Sequence, residues 1–386
     1  MLKRKHILLL LEWYDYRIHK GVAHMARKYG WQLDCPKNQY KMSSTSGILK
    51  DWEGDGCIAM IENDETFEYL RNKNIPLIDL GLRDHQMPIP RMITDNEKIG
   101  KFAAEHLREF GHKEIFTIDH GKNIMFKERL KSLQKYSKIN DCTVTVLKSA
   151  SEIQNDILYE LDDILKRRGQ KLKESSLGFF AYNDSIAADL ISLCLRNDIR
   201  VPENIAILGV DNDDLIISSL VLGLSSVDSD QEGLGRSSAK LMHKLLNEEF
   251  KYEQEEVFRH PPKGVITRRS TNCYAVRNPL VSNALHWIQN NFYKGIQATD
   301  VASAMNVTQQ GLQKAFASSY IRSPGNEIRH QRLEAVAFLL KTTNANLDTI
   351  AKNCGFYSVN SLINSFRKKY DITPGKFREM HKRTSN

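Results

Sequence analysis

A chain of 386 residues is longer than one ordinary hydrophobic core, so its length predicts two or three domains. Hydrophobic residues make up 41% and charged residues 26%, as in an ordinary soluble protein. No stretch approaches the roughly 20 apolar residues of a membrane span. The formal net charge is +8, and residues 283–386, with 14 Lys and Arg against 6 Asp and Glu, carry all of it. A local basic excess suits a polyanionic partner.

The N-terminus places basic residues before the apolar run Ile7–Leu11, an arrangement that could suggest a signal peptide. The run is too short, and Glu12 and Asp15 follow it without a small-residue cleavage site, so a buried first strand is predicted instead. The six cysteines lack paired metal-ligand spacing and are predicted to be reduced thiols of a cytoplasmic protein. No metal, cofactor or membrane association is expected.

Residues up to about 270 alternate short apolar runs with amphipathic stretches. The predicted strands are Ile7–Leu11, Gly56–Ile61, Leu77–Leu80, Ile115–Ile118, Thr143–Leu147, Leu177–Ala181 and Ile205–Val210. Helices predicted between them include Ile18–Tyr29, Glu97–Phe110, Ser185–Asn197 and Gly233–Glu248. This alternation predicts a doubly wound α/β domain, in which two parallel-sheet lobes are joined by a hinge.

Aromatic and polar side chains follow three of these strands, at the edge where open α/β sheets bind ligands. They are Trp13, Tyr14 and Asp15 after the first strand, Asn183 after the sixth and Asp211 after the seventh. Aromatic rings cover the apolar face of a sugar and planar polar groups bind adjacent hydroxyls, so this composition predicts a sugar site. The alternative is that Asn183 and Asp211 only cap the helices that follow them.

An internal repeat lies near the C-terminus. Six positions of residues 312–325 recur fifty residues later in 362–375, and the second copy carries one extra residue before its Leu. Each copy predicts a helix-turn-helix, with a turn residue that tolerates positive φ at Asn306 or Gly355. The candidate N-caps of the second helices are Thr308 and Ser358. The pattern of Gly325–Lys341 predicts a long helix that joins the two copies.

The stretch from Gly355-Phe356 through Thr373-Pro374 to Phe377-Arg378 resembles the AraC family DNA-binding domain, and the match runs from about residue 281 to 378. The resemblance implies two helices that read base edges, at positions Gln310, Gln313, Lys314, Val359, Asn360, Ser361 and Asn364. Arg367, Lys368 and Lys369 are better placed for phosphates. For each residue alone, the alternative is an ordinary solvent-exposed helix surface. The chain departs from the family's usual residues at Ser358, Leu362 and Asp371.

The segments Asn183–Ala187, Arg200–Asp213 and Leu224–Val227 resemble the periplasmic-binding-protein-like effector domain of the LacI family, over roughly residues 5–270. The resemblance implies a type I periplasmic-binding-protein-like fold in which Asn183, Asp211 and Arg129 contact a sugar. Asp95 and His106 match positions that are better explained as structural.

LacI-type regulators carry their DNA-binding headpiece before this domain, whereas here an all-α, AraC-type unit follows it. That order resembles the bacterial xylose-operon regulators and implies D-xylose or a related pentose as effector. The expected domains are an effector domain at 1–271, a linker at 272–282 and a double helix-turn-helix domain at 283–386.

These patterns predict a sugar-responsive transcription activator of a carbohydrate catabolic operon, which binds double-stranded operator DNA as a homodimer and contacts RNA polymerase. One alternative is a sugar-modifying enzyme on the same α/β scaffold, although the sequence shows no Gly-rich phosphate loop, Gly-x-Ser-x-Gly motif or metal cluster. The other alternative is a sugar-binding transport receptor. The C-terminal repeat and the missing secretion signal oppose that second alternative.

Overall fold

The computed structural model describes residues 4–11, 14–36, 52–60, 64–81, 89–119, 121, 124–148, 155–167, 169, 171–172, 176–272, 278–319 and 322–382. It divides the chain into two compact units, Met1–Asn272 and Cys273–Asn386, and each is described by itself below.

The N-terminal unit is built on two six-stranded sheets. The strands are β1 (His6–Leu11), β2 (Gln32–Asp34), β3 (Gly56–Met60), β4 (Leu77–Asp79), β5 (Pro90–Thr94), β6 (Glu114–Ile118), β7 (Thr143–Leu147), β8 (Leu177–Phe180), β9 (Ile205–Val210), β10 (Ser225–Asp228), β11 (Glu256–His260) and β12 (Gly264–Ile266). The first sheet has the order β11-β5-β4-β3-β1-β2 and the second the order β12-β10-β9-β8-β6-β7. All pairs are parallel except β10 with β12. We call the two sheets with their helices the first and second lobes.

Helices cover both faces of each sheet, which is why central strands such as β1 and β9 are apolar on both sides. They are α1 (Tyr16–Tyr29), α2 (Asp64–Asn72), α3 (Asn96–Glu109), α4 (Ile124–Ile139), α5 (Asn155–Arg167), α6 (Asp184–Arg196), α7 (Asp214–Ser219) and α8 (Gln231–Leu246). In the first lobe, α1 and α8 bury one face of the sheet and α2 packs on the other. In the second lobe, α3 and α4 lie on one face and α5 and α6 on the other.

Two glycines bring α1 and α8 into close contact. A Cβ on Gly21 would lie 2.1 Å from the carbonyl oxygen of Glu232, and one on Gly235 would lie 2.3 Å from that of Ile18. Both neighbours are backbone atoms that cannot move aside without displacing a helix. The missing side chains therefore fix the position of α1, which begins immediately after Asp15.

Three crossings connect the lobes: β5 to α3, β10 to α8 and β11 to β12. They are tied together by backbone hydrogen bonds, Asp95 N–H to His260 C=O at 2.8 Å and Lys263 N–H to Asp228 C=O at 2.8 Å. Asp230 is at their centre and binds His260 Nε2 (3.0 Å) and Lys263 Nζ (2.7 Å). Burial alone would raise the pKa of Asp230, but these hydrogen bonds and the Lys263 charge lower it to about 2.

The sequence-based prediction missed five of the described strands and must be corrected. The missed strands are β2, β5, β10, β11 and β12. β2 and β12 have only three residues each, and β11 alternates between half-buried and exposed positions at a sheet edge. β5 contains Pro90 and Arg91, and β10 contains two serines, so neither reads as an apolar run. The Ser225 and Ser226 hydroxyls can be buried because each donates a hydrogen bond inside the lobe.

The C-terminal unit contains helices only among its described residues. They are α9 (Pro279–Asn291), α10 (Ala298–Ala304), α11 (Gln309–Ser319), α12 (Pro324–Thr342), α13 (Leu347–Asn353), α14 (Val359–Tyr370) and α15 (Pro374–Lys382), with a 3₁₀ turn at Phe292–Lys294. The predicted linker, 272–282, is too long. Asn278 caps α9, so residues 279–282 of the predicted linker already belong to that helix.

Both predicted helix-turn-helix motifs form. Asn306 and Gly355 have φ values of +54° and +72°, as the turns require. Leu312 and Phe316 are fully buried in the first motif, and Leu362 and Phe366 are fully buried in the second. The long helix α12 packs against helices of both motifs and therefore joins them into one body.

Candidate ligand site and nucleic-acid interface

A charged cluster lies where the carboxyl end of β1 meets that of β9. Asp15 caps α1 and binds the Arg17 guanidinium at 2.6 and 3.0 Å. Arg17 reaches the second lobe, where Nη1 donates to the Asp211 carbonyl oxygen (2.8 Å) and Nη2 lies 3.3 Å from Asp213 Oδ2. Although burial opposes it, the hydrogen bond and charge of Asp15 raise the pKa of Arg17, so the guanidinium stays ionised. Arg17 therefore links the lobes at the predicted ligand edge.

Asp211 occupies an unusual backbone conformation directly after β9. Its φ is +102°, and that of Asn212 is +49°. The value for Asn212 lies in the left-handed region that Asn adopts readily, whereas that of Asp211 lies outside it, and such strained positions cluster at ligand sites. The Asp211 carboxylate accepts hydrogen bonds from Ser229 Oγ (2.9 Å) and Gln231 Nε2 (3.4 Å).

Asp184 stabilises the loop after β9 through hydrogen bonds. Its Oδ2 accepts the Asp213 N–H (2.8 Å), and its Oδ1 accepts the Ser226 hydroxyl (2.6 Å). Ser226 Oγ in turn accepts the Asn212 N–H (2.9 Å). Burial, and then the negative charge of Asp211, raise the pKa of Asp184 to about 7.

Arg129 is buried beside the end of β8. Its Nε donates to Asn96 Oδ1 (2.9 Å), its Nη1 donates to the Tyr182 carbonyl oxygen, and its guanidinium lies 5.1 Å from the centre of the Tyr182 ring. Asn183 follows at once and caps α6, because its Oδ1 accepts the Ile186 N–H at 2.9 Å. An arginine on an aromatic face beside an amide is a combination suited to a sugar, since both hydroxyls and CH groups find partners.

Asn183 caps the helix that follows it, whereas Asp211 does not. The residue that caps α7 is Asp213, whose Oδ1 accepts from Leu215 and Ile216. Tyr14 packs on the core of the first lobe, and its hydroxyl is 2.9 Å from His19 Nδ1. Burial lowers the pKa of His19. Trp13 lies outside the described residues.

Sequence reasoning missed the roles of Arg17 and Asp184. Arg17 closes the charged stretch after the first strand, but nothing in the sequence shows that it meets the other lobe. Asp184 directly follows Asn183, and its burial depends on β10, a strand that was not predicted. As expected, Asp95 and His106 are structural: Asp95 caps α3, and His106 Nε2 lies 2.8 Å from Thr271 Oγ1.

The ligand edge is connected to the end of the unit through Arg268. Its Nη2 donates to Asn212 Oδ1 (2.8 Å) and its Nη1 to the Leu224 carbonyl oxygen (2.8 Å). Immediately after it, the 3₁₀ turn Arg269–Thr271 is anchored on the second sheet, where Ser270 Oγ donates to the Ile207 carbonyl oxygen. One side chain thus bridges the loop after β9 and the segment that leads out of the unit.

In the C-terminal unit, the implied base-reading residues lie on the outer surfaces of α11 and α14. Exposed positions are Gln310, Gln313, Lys314, Asn360, Ser361, Asn364, Arg367 and Lys368, while Val359 is half-buried. The caps are as predicted: Thr308 Oγ1 accepts the Gly311 N–H (3.1 Å), and Ser358 Oγ accepts the Ser361 N–H (3.2 Å). Both second helices turn a polar face outward and bury a Leu and a Phe that are four residues apart.

Lys369 differs from its two basic neighbours. Its Nζ pairs with Glu334 of α12 and lies 2.9 Å from His330 Nδ1, and the Tyr370 hydroxyl donates to the same Glu334 (2.9 Å). Lys369 therefore helps to hold α14 against α12, and its contact with phosphate stays a prediction. Asp371, where the family often has Gly, adopts a φ of +58° at the end of α14.

The described residues contain no group of three or more metal-binding side chains and no helix long and apolar enough to span a membrane. Burial raises the pKa of Cys194 to about 12 and that of Cys354 to about 11, so these two thiols stay protonated.

Comparisons with known proteins agree with both units. A family model described as a periplasmic binding protein-like domain matches residues 104–271, and one described as a helix-turn-helix domain matches residues 301–380. The chain is 28% identical to the xylose operon regulatory protein of Escherichia coli strain K12 over 98% of both chains. It is 26% identical to that of Haemophilus influenzae over 84% of both chains.

A solved structure described as the xylose-binding transcription activator XylR superposes with a TM-score of 0.59. The two chains are 26% identical, and the match covers 98% of this chain and 99% of the other. The prediction of two parallel-sheet α/β lobes followed by an all-α domain with two helix-turn-helix motifs is confirmed.

Proposed function

This chain is a DNA-binding transcription regulator that joins a periplasmic-binding-protein-like sugar-binding domain to an AraC-type helix-turn-helix domain, and we propose that D-xylose or a related pentose is its effector. The observation that carries this proposal is the contact of Arg17 with the loop after β9, at the carboxyl edges of both sheets. The names of the full-length relatives support a pentose.

In the proposed site, the Asp211 carboxylate accepts sugar hydroxyls from the second lobe, and the Asn183 amide and the Arg129–Tyr182 pair lie along the same sheet edge. Asp15, Tyr14 and Trp13 would complete the site from the first lobe. Asp211 suits the role because Ser229 and Gln231 orient its carboxylate, and its loop is fixed in a positive-φ conformation. Planar groups of this kind bind two adjacent hydroxyls at once.

Calorimetric titration of the full chain with D-xylose, L-arabinose, D-ribose and D-glucose tests the proposal. We expect one pentose to bind, and Asp211→Ala to abolish detectable binding because it leaves hydroxyls without their acceptor. Asp214→Ala is the matched control, since Asp214 is an exposed carboxylate three residues away. Unchanged affinity in Asp211→Ala would contradict the assignment, as would an equal loss of affinity in Asp214→Ala.

We further propose that the regulator works in the cytoplasm as a homodimer formed through the N-terminal unit, and that it activates transcription by contacting RNA polymerase. Each C-terminal unit carries two recognition helices and needs no second copy for a bipartite site. A bound sugar then acts by changing the relation between two copies, which it can do only by binding one arrangement more tightly. Sedimentation of the full chain with and without sugar should show a dimer at micromolar concentration, whereas a monomer under both conditions would exclude this mechanism.

A further inference from the structure

We propose that Tyr357 is a contact between the second helix-turn-helix motif and the sugar-phosphate backbone of DNA, with no counterpart in the first motif. The inference rests on the DNA binding described above and starts from the extra residue of the second repeat. In each motif the chain leaves the turn through one hydrogen bond, Val307 N–H to Ala302 C=O (3.0 Å) or Phe356 N–H to Ala351 C=O (2.9 Å). Val307 and Phe356 are therefore equivalent.

The N-caps of the second helices are also equivalent, since Thr308 and Ser358 each accept the N–H three residues later. Thr308 directly follows Val307, whereas one residue separates Ser358 from Phe356. The extra residue is therefore Tyr357, and it is inserted between the turn and the N-cap. The insertion lengthens the connection by one residue and leaves both the turn and the helix start unchanged.

Tyr357 is 103% exposed, although Phe356 beside it is half-buried and packs against the core of the second motif. A single exposed aromatic needs no explanation on an ordinary surface. Tyr357, however, directly precedes Ser358, the N-cap of α14, and the first residues of that helix are the predicted base readers. When such a helix enters the major groove with its N-terminal end, the residue before the N-cap lies beside the strand that borders the groove.

The chemistry of the side chain fits that strand rather than a base edge. A phenol hydroxyl donates one hydrogen bond, and a phosphate oxygen is an ionised acceptor, so the bond is of the stronger, charge-assisted kind. The ring offers an apolar face to the adjacent deoxyribose. Arg367 and Lys368 are exposed near the other end of α14, so phosphate-binding groups would lie at both ends of this recognition helix.

The test uses the full chain with a duplex that it selects from a random-sequence library, and a scrambled duplex of equal length. We expect Tyr357→Ala to weaken binding to both duplexes by about tenfold, and Tyr357→Phe to recover part of that loss. Because tyrosine carries no positive charge, the dependence of affinity on salt should keep the wild-type slope, unlike that of Arg367→Ala. Ethylation of one phosphate beside the second motif should interfere with wild-type binding but not with Tyr357→Phe.

Tyr159→Ala is the matched control, because Tyr159 is also exposed (71%) but lies on α5 in the other unit. Its DNA affinity should equal that of the wild type. Equal affinity of Tyr357→Ala and wild type on both duplexes would overturn the proposal. A loss confined to the selected duplex would also overturn it, because it would place Tyr357 at a base. Failure of the wild type to bind any duplex would instead contradict DNA binding itself.

Discussion

Asp184 is 1% exposed and accepts two hydrogen bonds that hold the loop carrying Asp211. Burial and the nearby Asp211 charge raise its pKa to about 7, whereas an unfolded aspartate titrates near pH ~3.9. Between roughly pH 4 and pH 7, the folded protein binds a proton that the unfolded chain has released. The contribution of this group to the free energy of unfolding is therefore greatest at low pH and falls as the pH rises through that range.

Asp184→Asn should remove this pH dependence. The amide keeps one acceptor for the Asp213 N–H and can donate to Ser226 Oγ, so the loop should remain in place. Urea unfolding of the full chain at several pH values should give a shallower fall in stability between about pH 4 and pH 7 than the wild type shows. A variant whose stability followed the wild-type pH profile would show that Asp184 titrates normally.

At the scale of single residues, the sequence predicted the position of the candidate site better than the hydrogen bonds within it. The described residues after the first, sixth and seventh predicted strands do lie at sheet edges, because the end of a buried strand is visible in the sequence. That Asn183 caps a helix and Asp211 does not could not be read from their positions, since both follow a strand and precede a helix. The distinction depends on the positive φ of two residues after β9.

At the scale of elements, the contact of α1 with α8 rests on glycine. Gly235→Ala would place a methyl group 2.3 Å from the Ile18 carbonyl oxygen, so one helix must shift. We expect a loss of about 1–3 kcal/mol in the free energy of unfolding. The matched control is Gly325→Ala near the start of α12, where nothing lies within 4 Å of the new methyl group. That change should be neutral or stabilise by up to ~1 kcal/mol.

Thermal and urea denaturation of the two glycine variants would measure the difference. One variant lies at a close approach and the other at an open helical position, so the pair separates steric conflict from helix propensity. Equal stability of the two variants would mean that α1 and α8 can separate at no cost.

The two kinds of polar residue on α14 should differ in what they contribute to DNA binding. Asn364→Ala is expected to cost about 1–3 kcal/mol on the selected duplex and little on the scrambled one, because an amide pairs with a base edge. Arg367→Ala should weaken binding to both duplexes and lower the slope of log affinity against log salt concentration by about 1. Fluorescence anisotropy at several salt concentrations distinguishes these outcomes, and the opposite pattern would exchange the two roles.

Apolar or amphipathic elements were predictable from the sequence, and polar elements and the short edge strands were not. The predicted helices around α1, α3, α6 and α8 differ from the structure by only one or two residues at most of their ends, because caps such as Asp95 mark the ends. β10 was not predicted because its serines are polar, and the partners of their hydroxyl hydrogen bonds are distant in the sequence. The helix-turn-helix motifs were predictable in detail because the repeat displays the same turn twice.

At the scale of the whole molecule, Arg268 offers a route from the ligand edge to the exit of the N-terminal unit. Arg268→Ala removes the bonds to Asn212 and to the Leu224 carbonyl oxygen. Sugar affinity and DNA affinity without sugar should each stay within a few-fold of wild type. The change in DNA affinity caused by sugar, typically about 1–3 kcal/mol in coupled systems, should shrink.

Anisotropy titrations of labelled operator, with and without saturating pentose, measure that coupling directly. Arg269→Ala serves as the control, because Arg269 is the adjacent arginine and is exposed. If the sugar still shifts DNA affinity by the full wild-type factor in Arg268→Ala, the signal takes another route.

The anchored exit has a practical consequence. Ser270 and Thr271 are fully buried, and their partners, Ile207, Ser225 and His106, all belong to the N-terminal unit. The last turn before Asn272 therefore needs no help from the residues that follow it. A fluorescent protein or a split reporter enzyme fused after Asn272 should consequently leave the sugar site intact. Such a fusion would turn this regulator into a modular sugar biosensor whose output does not require DNA.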